Sequence, residues 1–234
     1  MKRGLKLVIG AAVAAALLVT GGTWLYINVI RDDPPDRLAL TDAAAPATGT
    51  PDPTATGSDD GDVAGTWAVT SGSQAGYRVG EILFGQNAVA VGRTEDVTGQ
   101  IAIAGTTVTS GSFTVDMTTV ASDESRRDGQ FRGRIMDVAT YPTSTFALTR
   151  PIELASVPAD GVEVDVRATG RLTLRGTTRD ITVDLTAQRS GGTLRILGTI
   201  PIVFDEWGIP NPSGGPAATE DEGELEFLLV FART

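Results

Sequence analysis

The chain of 234 residues carries 19 Lys and Arg against 29 Asp and Glu, and it contains neither cysteine nor histidine. A net charge of −10 sets it against nucleic-acid phosphates. Without thiols there is no disulfide framework or thiolate metal site, and without imidazole there is no Ser-His-Asp triad or ordinary zinc site. The lysines are confined to Lys2 and Lys6, so Ser-Lys and Schiff-base chemistry are also excluded from the folded part. A carboxylate pair or an all-oxygen calcium or magnesium site is the chemistry that survives.

Residues 7–30, "LVIGAAVAAALLVTGGTWLYINVI", hold no charge, and about 20 such residues suffice to cross a bilayer. Lys2, Arg3 and Lys6 precede the stretch, and Arg31, Asp32 and Asp33 follow it. Positive flanks stay in the cytoplasm, which predicts an N-terminus inside and the remainder outside. Trp24 and Tyr26 suit the outer interface. The rival reading is a cleaved signal peptide, but no small-x-small cleavage site follows Trp24. The expectation is an uncleaved transmembrane helix over residues 1–31.

Residues 32–64 are rich in Pro, Ala, Thr, Gly and Asp. Such a composition predicts a disordered, extended linker. "SDDGD" at 58–62 lacks the late Glu of a calcium loop and reads as solvated acidic chain.

From residue 65 to 234 the texture is mainly β. Strands are expected at 66–70, 76–84, 89–103 and 112–120, where "SFTVDMTTV" alternates. "SDESRRDGQFRGRIMDVATYP" interrupts them. Ser122 is expected to cap a short helix beginning near Asp123, with Asp123 and Glu124 at its positive end and Arg132 and Arg134 late. Phe131 and Ile135 share a face, and Pro142 ends the helix. Strands are expected again at 144–154, 193–204 and 223–230, with a hairpin at 168–187 whose turn lies in "RGTTR". Residues 205–223, "DEWGIPNPSGGPAATEDEG", read as a rim loop too polar and Pro/Gly-rich for strand, in which Trp207 either covers an opening or anchors the loop. Many short alternating strands mean an antiparallel barrel or a sandwich, and the pattern alone does not choose.

Four stretches of residues 65–234 resemble the YceI-like family of lipid-binding, lipocalin-like domains. "TWAVTSGSQAGYRV" is similar to its first strand pair. In "RRDGQFRGRIMDVATYPTSTF" the matching residues are Arg127, Asp128, Phe131, Asp137, Tyr141, Pro142 and Phe146. "GRLTLRGTTRDITVDL" matches its Gly-x-Leu-Thr-x-x-Gly hairpin through Gly170, Leu172, Thr173 and Gly176, and "LEFLLVFART" fits its last strand. Some relatives carry a His where this chain has Gln130 and Arg175, so any role for that His is absent here. The resemblance implies an antiparallel eight-stranded barrel with one short helix, around a tunnel that holds a polyprenyl phosphate or a quinone tail.

On that reading the tunnel-wall candidates are Tyr77, Val79, Phe113, Val115, Met117, Phe146, Leu148, Leu172, Leu174, Phe227 and Leu229, each of which is equally at home in an ordinary core. Arg127 and Asp128 admit two readings, a structural clamp or a charged site. In the second, Arg126, Arg127 or Arg132 meets an anionic head group, for which the planar guanidinium is suited. The expectation is a non-catalytic, membrane-anchored, extracytoplasmic carrier of an isoprenoid-type lipid, without other cofactor, metal or nucleic acid; a homodimer is compatible with the sequence. The rivals are an extracellular β-domain with a filled core that binds protein or scaffolds the envelope, and a carboxylate enzyme.

Overall fold

The structure is a computed structural model and describes residues 21–22, 34–42, 62–83, 85–214 and 217–234. The expected anchor, residues 1–31, lies outside the described residues apart from Gly21 and Gly22. Among the described residues no helix is long and apolar enough to cross a membrane.

In chain order the strands are β1 (Gly65–Val69), β2 (Gln74–Leu83), β3 (Gln86–Thr94), β4 (Val97–Ala104), β5 (Thr107–Asp116) and the short β6 (Ala121–Ser122). Helix α1 (Ser125–Gln130) follows and continues into a π-helical turn, Phe131–Ile135. Then come β7 (Thr143–Leu148), β8 (Ile152–Glu153), β9 (Glu163–Leu174), β10 (Thr177–Ser190) and β11 (Thr193–Val203). A 3-10 turn at Phe204–Trp207, β12 (Ala217–Thr219) and β13 (Glu222–Arg233) complete the chain.

All neighbouring strands are antiparallel and the sheet closes on itself. One edge of β13 pairs first with β2, Glu224 opposite Arg78, and then with β1, Trp67 opposite Arg233. β3 and β4 lie in the same way against β2 and β1. Each couple is one long strand with a kink, at 70–73 and at Glu95–Asp96. The expected single strand 89–103 is therefore bent in its middle. Around the ring follow β5, β7, β9, β10, β11 and again β13, giving the closed eight-stranded antiparallel barrel. Closure leaves no exposed sheet edge along the ring.

Local chemistry explains the departures from expectation. The hairpin turn is only two residues, because Leu174 already faces Thr177. Arg175 (φ 46°) and Gly176 (φ 73°) form it, and two positive φ values match the twist of the flanking strands. The cap of α1 is Glu124, whose carboxylate accepts the Arg126 N–H at 3.2 Å. Ser122 is engaged elsewhere: its N–H and hydroxyl both donate to Asp128, at 2.8 and 2.7 Å. The stretch 205–223 is not wholly loop, since β12 pairs with the end of β2 that extends beyond β13. Trp207 anchors it: the ring is buried, with the Arg179 guanidinium 5.8 Å from its centroid.

Part of the expected linker is also ordered against the barrel. Residues 34–42 lie along its outer wall, where Leu38 and Leu40 are buried on Leu228 and Val230 of β13. Arg78 donates to the Pro35 carbonyl at 2.7 Å and Arg195 to the Leu40 carbonyl at 3.1 Å. Arg93 donates to the Asp36 carbonyl, and Arg37 meets Glu224 at 2.6 Å. Glu226, 3% exposed, joins Arg93 at 2.7 Å and Arg78 at 3.4 Å beneath this strap. Residues 43–61 lie outside the described residues.

Candidate functional site

Alternation turns one face of every strand into the barrel, and the interior is hollow rather than filled. A cavity of about 1110 Å³ occupies one half, just above the range of about 300–1,000 Å³ common for ligand pockets. Of the expected wall residues, Tyr77, Val79, Phe113, Val115, Met117, Leu172, Leu174 and Phe227 line it. Phe146, Leu148 and Leu229 do not. They line a second, smaller chamber of about 110 Å³ in the other half, whose accessible wall is wholly apolar. Among the expected residues, Phe113 and Phe227 touch both chambers.

Those rings form a partition. Phe113 stands 5.4 Å from Phe146 and 5.5 Å from Phe227, centroid to centroid, within the range of favourable aromatic pairing. Glycine makes room for them. Phe227 sits directly across from Gly198 on β11, and a Cβ there would collide with its ring and with Leu185. Phe146 occupies the space over Gly170 in the same manner, and Tyr77 the space over Gly92. Each ring lies flat against a neighbouring strand because that strand lacks a side chain at the point of contact.

Polar groups gather at one end of the large cavity. Glu81, Asp123, Glu124, Arg126, Arg127 and Arg134 line it there, and with the exposed Asp123, Glu124, Arg126 and Arg134 they mark the mouth. α1 and the π-helical turn stand over this end, with Phe131 buried and stacked on Tyr77 at 5.0 Å. Phe131 and Ile135, which share a face as expected, both line the cavity. Arg134 donates to the Asn211 and Pro212 carbonyls at 3.3 and 3.1 Å, tying the helical segment to the rim loop.

The three expected head-group arginines separate. Arg126 is exposed at the mouth. Arg127 also reaches the cavity, but it pairs with Asp123 and, at 3.4 Å, with Glu81. Arg132 does not line the cavity and donates to the Val120 carbonyl at 3.4 Å. Asp128 pairs with neither arginine neighbour in the hydrogen bonds it accepts; it clamps Ser122. Burial pushes the Tyr77 phenol up to about 12, with Arg127 opposing and Asp128, Asp123 and Glu81 adding to the rise.

Sequence reasoning missed Ile200, Ile202 and Phe204, which line the large cavity. The signal was present in "TLRILGTIPIVF", where Leu194, Ile196, Gly198, Ile200, Ile202 and Phe204 alternate. Among the described residues no group of three or more acidic side chains is placed to hold a metal ion.

The YceI-like domain family matches the chain over residues 67–231. A polyisoprenoid-binding domain from Saccharophagus degradans, implicated in plant cell wall breakdown, is similar in structure: TM-score 0.58, 19% identity, 73% of this chain and 99% of that one covered. BcnA of Burkholderia cenocepacia is similar at TM-score 0.51 and 23% identity, over 66% of this chain and 95% of that one. At these identities the likeness concerns the fold. Among curated proteins none matches the chain.

Proposed function

Since the chain belongs to the YceI-like domain family, a family of binding proteins rather than enzymes, we propose that it is a non-catalytic carrier of a long isoprenoid-type lipid. The tail fills the large cavity and the head group stays at the mouth. One observation carries this reading: a largely apolar cavity of about 1110 Å³ whose charged lining, apart from Glu226 beneath the strap, gathers toward one end. An amphipathic chain has that polarity. A polyprenyl phosphate or a quinone satisfies it, and Arg126 is the cation placed to meet an anionic head group. The polyisoprenoid binding stated for the Saccharophagus degradans domain supports the same class. A filled-core adhesion domain would bury aliphatic side chains in this space. On the same reading residues 1–31 anchor the protein in a membrane and the barrel lies on the extracytoplasmic side, as the charge flanks argue.

Native mass spectrometry of the full chain, released from membranes and followed by lipid extraction, tests the proposal. The expected result is an adduct that leaves on denaturation and is recovered as a long prenyl lipid. A second arm compares a prenol with its phosphate in wild type and in Arg126→Ala; the variant should lose the preference for phosphate. Protein that carries no lipid and takes up neither probe would overturn the carrier reading.

A further inference from the structure

We infer that residues 34–42 mount the barrel on the membrane with the cavity mouth turned toward the bilayer. The inference rests on the anchoring part of the reading above.

Its basis is the direction of the strap. Pro35 and Arg37 meet Arg78 and Glu224, near the mouth. Leu40 meets Arg195, whose register partner is Val230, well toward the other end. The strap therefore runs from the mouth downward along β13. Pro34, where the described segment begins, thus lies at the mouth end.

Without the strap the geometry would be reversed. The chain enters the barrel at Gly65, which faces Ile103 beside the β4–β5 turn, at the end away from the mouth. Residues 32–64 as a free coil would have an r.m.s. span of about 30 Å, and they would hang the barrel from the end away from the mouth. With the strap seated, the last uncharged residue, Ile30, and Pro34 are four Cα steps apart, at most about 14 Å. A connection that short, attached beside the mouth, does not let the barrel turn over. The lipid then has a short path from the bilayer into the cavity, rather than one through water.

The absence of cysteine gives a clean test. Gly129→Cys on α1 places a fluorophore at the mouth, where a side chain meets open space. Thr106→Cys places one in the exposed β4–β5 turn at the far end. The full chain is reconstituted into phosphatidylcholine vesicles containing a head-group-labelled quencher lipid. We expect the Gly129 label to be quenched several-fold more than the Thr106 label. In Leu38→Asp/Leu40→Asp the contrast should collapse. Should that variant misfold, about twenty Gly/Ser residues inserted after Asp33, a coil of roughly 25 Å, lengthen the connection with the strap intact and should collapse the contrast likewise. Equal quenching of the two labels in wild type, or a contrast that survives strap release or linker insertion, overturns the inference while leaving lipid carriage standing. Protein that washes off the vesicles in alkaline carbonate overturns anchoring itself, and the inference with it. Neither readout depends on lipid being bound in the cavity.

Discussion

Phe227→Ala tests the partition between the two chambers. Phe227 is 5% exposed, and a Phe-to-Ala change in such a site costs about 3–5 kcal/mol when the vacated space stays empty. Removing the ring also removes the contact with Phe113 at 5.5 Å and opens the cavity of about 1110 Å³ into the chamber of about 110 Å³. A tail long enough to pass the gap can occupy the smaller chamber. At about 24 cal/mol per Å³ of cavity, filling that volume offsets about 2.6 kcal/mol. The lipid-free variant should therefore lose about 3–5 kcal/mol relative to wild type. With a long prenol the loss should shrink to about 1–2 kcal/mol, and with a short one it should not shrink. Urea denaturation of both proteins, lipid-free and with prenols of two lengths, measures this directly. A loss that is the same under all three conditions would refute the reasoning and make Phe227 ordinary packed core.

Gly198→Ala forces the Phe227 ring off its seat, which should destabilise the protein by about 1–3 kcal/mol; the effect should largely vanish in the Phe227→Ala background, as a double-mutant cycle by thermal denaturation will show. The Tyr77 phenol, pushed up to about 12 by burial, stays neutral in the folded state after it has begun to ionise in the unfolded chain, so stability should fall as pH rises from about 10 through about 12; phenolate absorbance in the near ultraviolet, with Tyr77→Phe as control, reads it. Asp128→Ala leaves the Ser122 N–H without its acceptor and should cost about 1–3 kcal/mol in melting experiments without changing lipid affinity, whereas Asp128→Asn, which can still accept, should cost less; an affinity loss in a folded Asp128→Ala protein would move this residue into the site.

Much of the wall was legible because it depends on a period of two. Leu225, Phe227 and Leu229 alternate, as do Leu172 and Leu174, and the barrel places all of them inside. The division into two chambers was not legible. It depends on which rings meet across strands, and therefore on register: Leu148 and Leu229 carry the same inward pattern as Phe113 but fall beyond the partition, and Phe146, directly opposite Phe113, faces the smaller chamber. The strap left a faint trace at both of its surfaces. "RLAL" holds the two leucines of a stretch whose other residues, Val63 apart, are mostly small or acidic, and averaging composition over residues 32–64 hid them. On β13, "FLLVF" has no polar member. An unbroken apolar run means a strand covered on both faces, and Leu228 and Val230 face Leu38 and Leu40. Arg78, Arg93 and Arg195 gave no sign of their role, since their partners in the strap are backbone carbonyls 43, 57 and 155 residues away. Ser122 and Glu124 both suited the helix start. Tertiary contact decided between them, because Asp128 holds Ser122.

The double pairing of β13 also fixes the order in which the molecule can be assembled. β1 finds its second partner on this strand, with Trp67 waiting for Arg233, and β2 finds most of its own there, the short β12 covering only its end. A chain emerging from its N-terminus must make every hairpin from β2 to β11 before the ring can shut. Contacts of such long sequence separation make folding slow. Until β13 arrives, the partition lacks Phe227 and the strap lacks Leu228 and Val230, the residues on which it sits. The open intermediate exposes its apolar interior and is a sticky species. On the carrier reading a lipid is not retained before synthesis of the barrel is finished, and the strap cannot seat before the barrel closes. One strand commits the molecule to all three events at once.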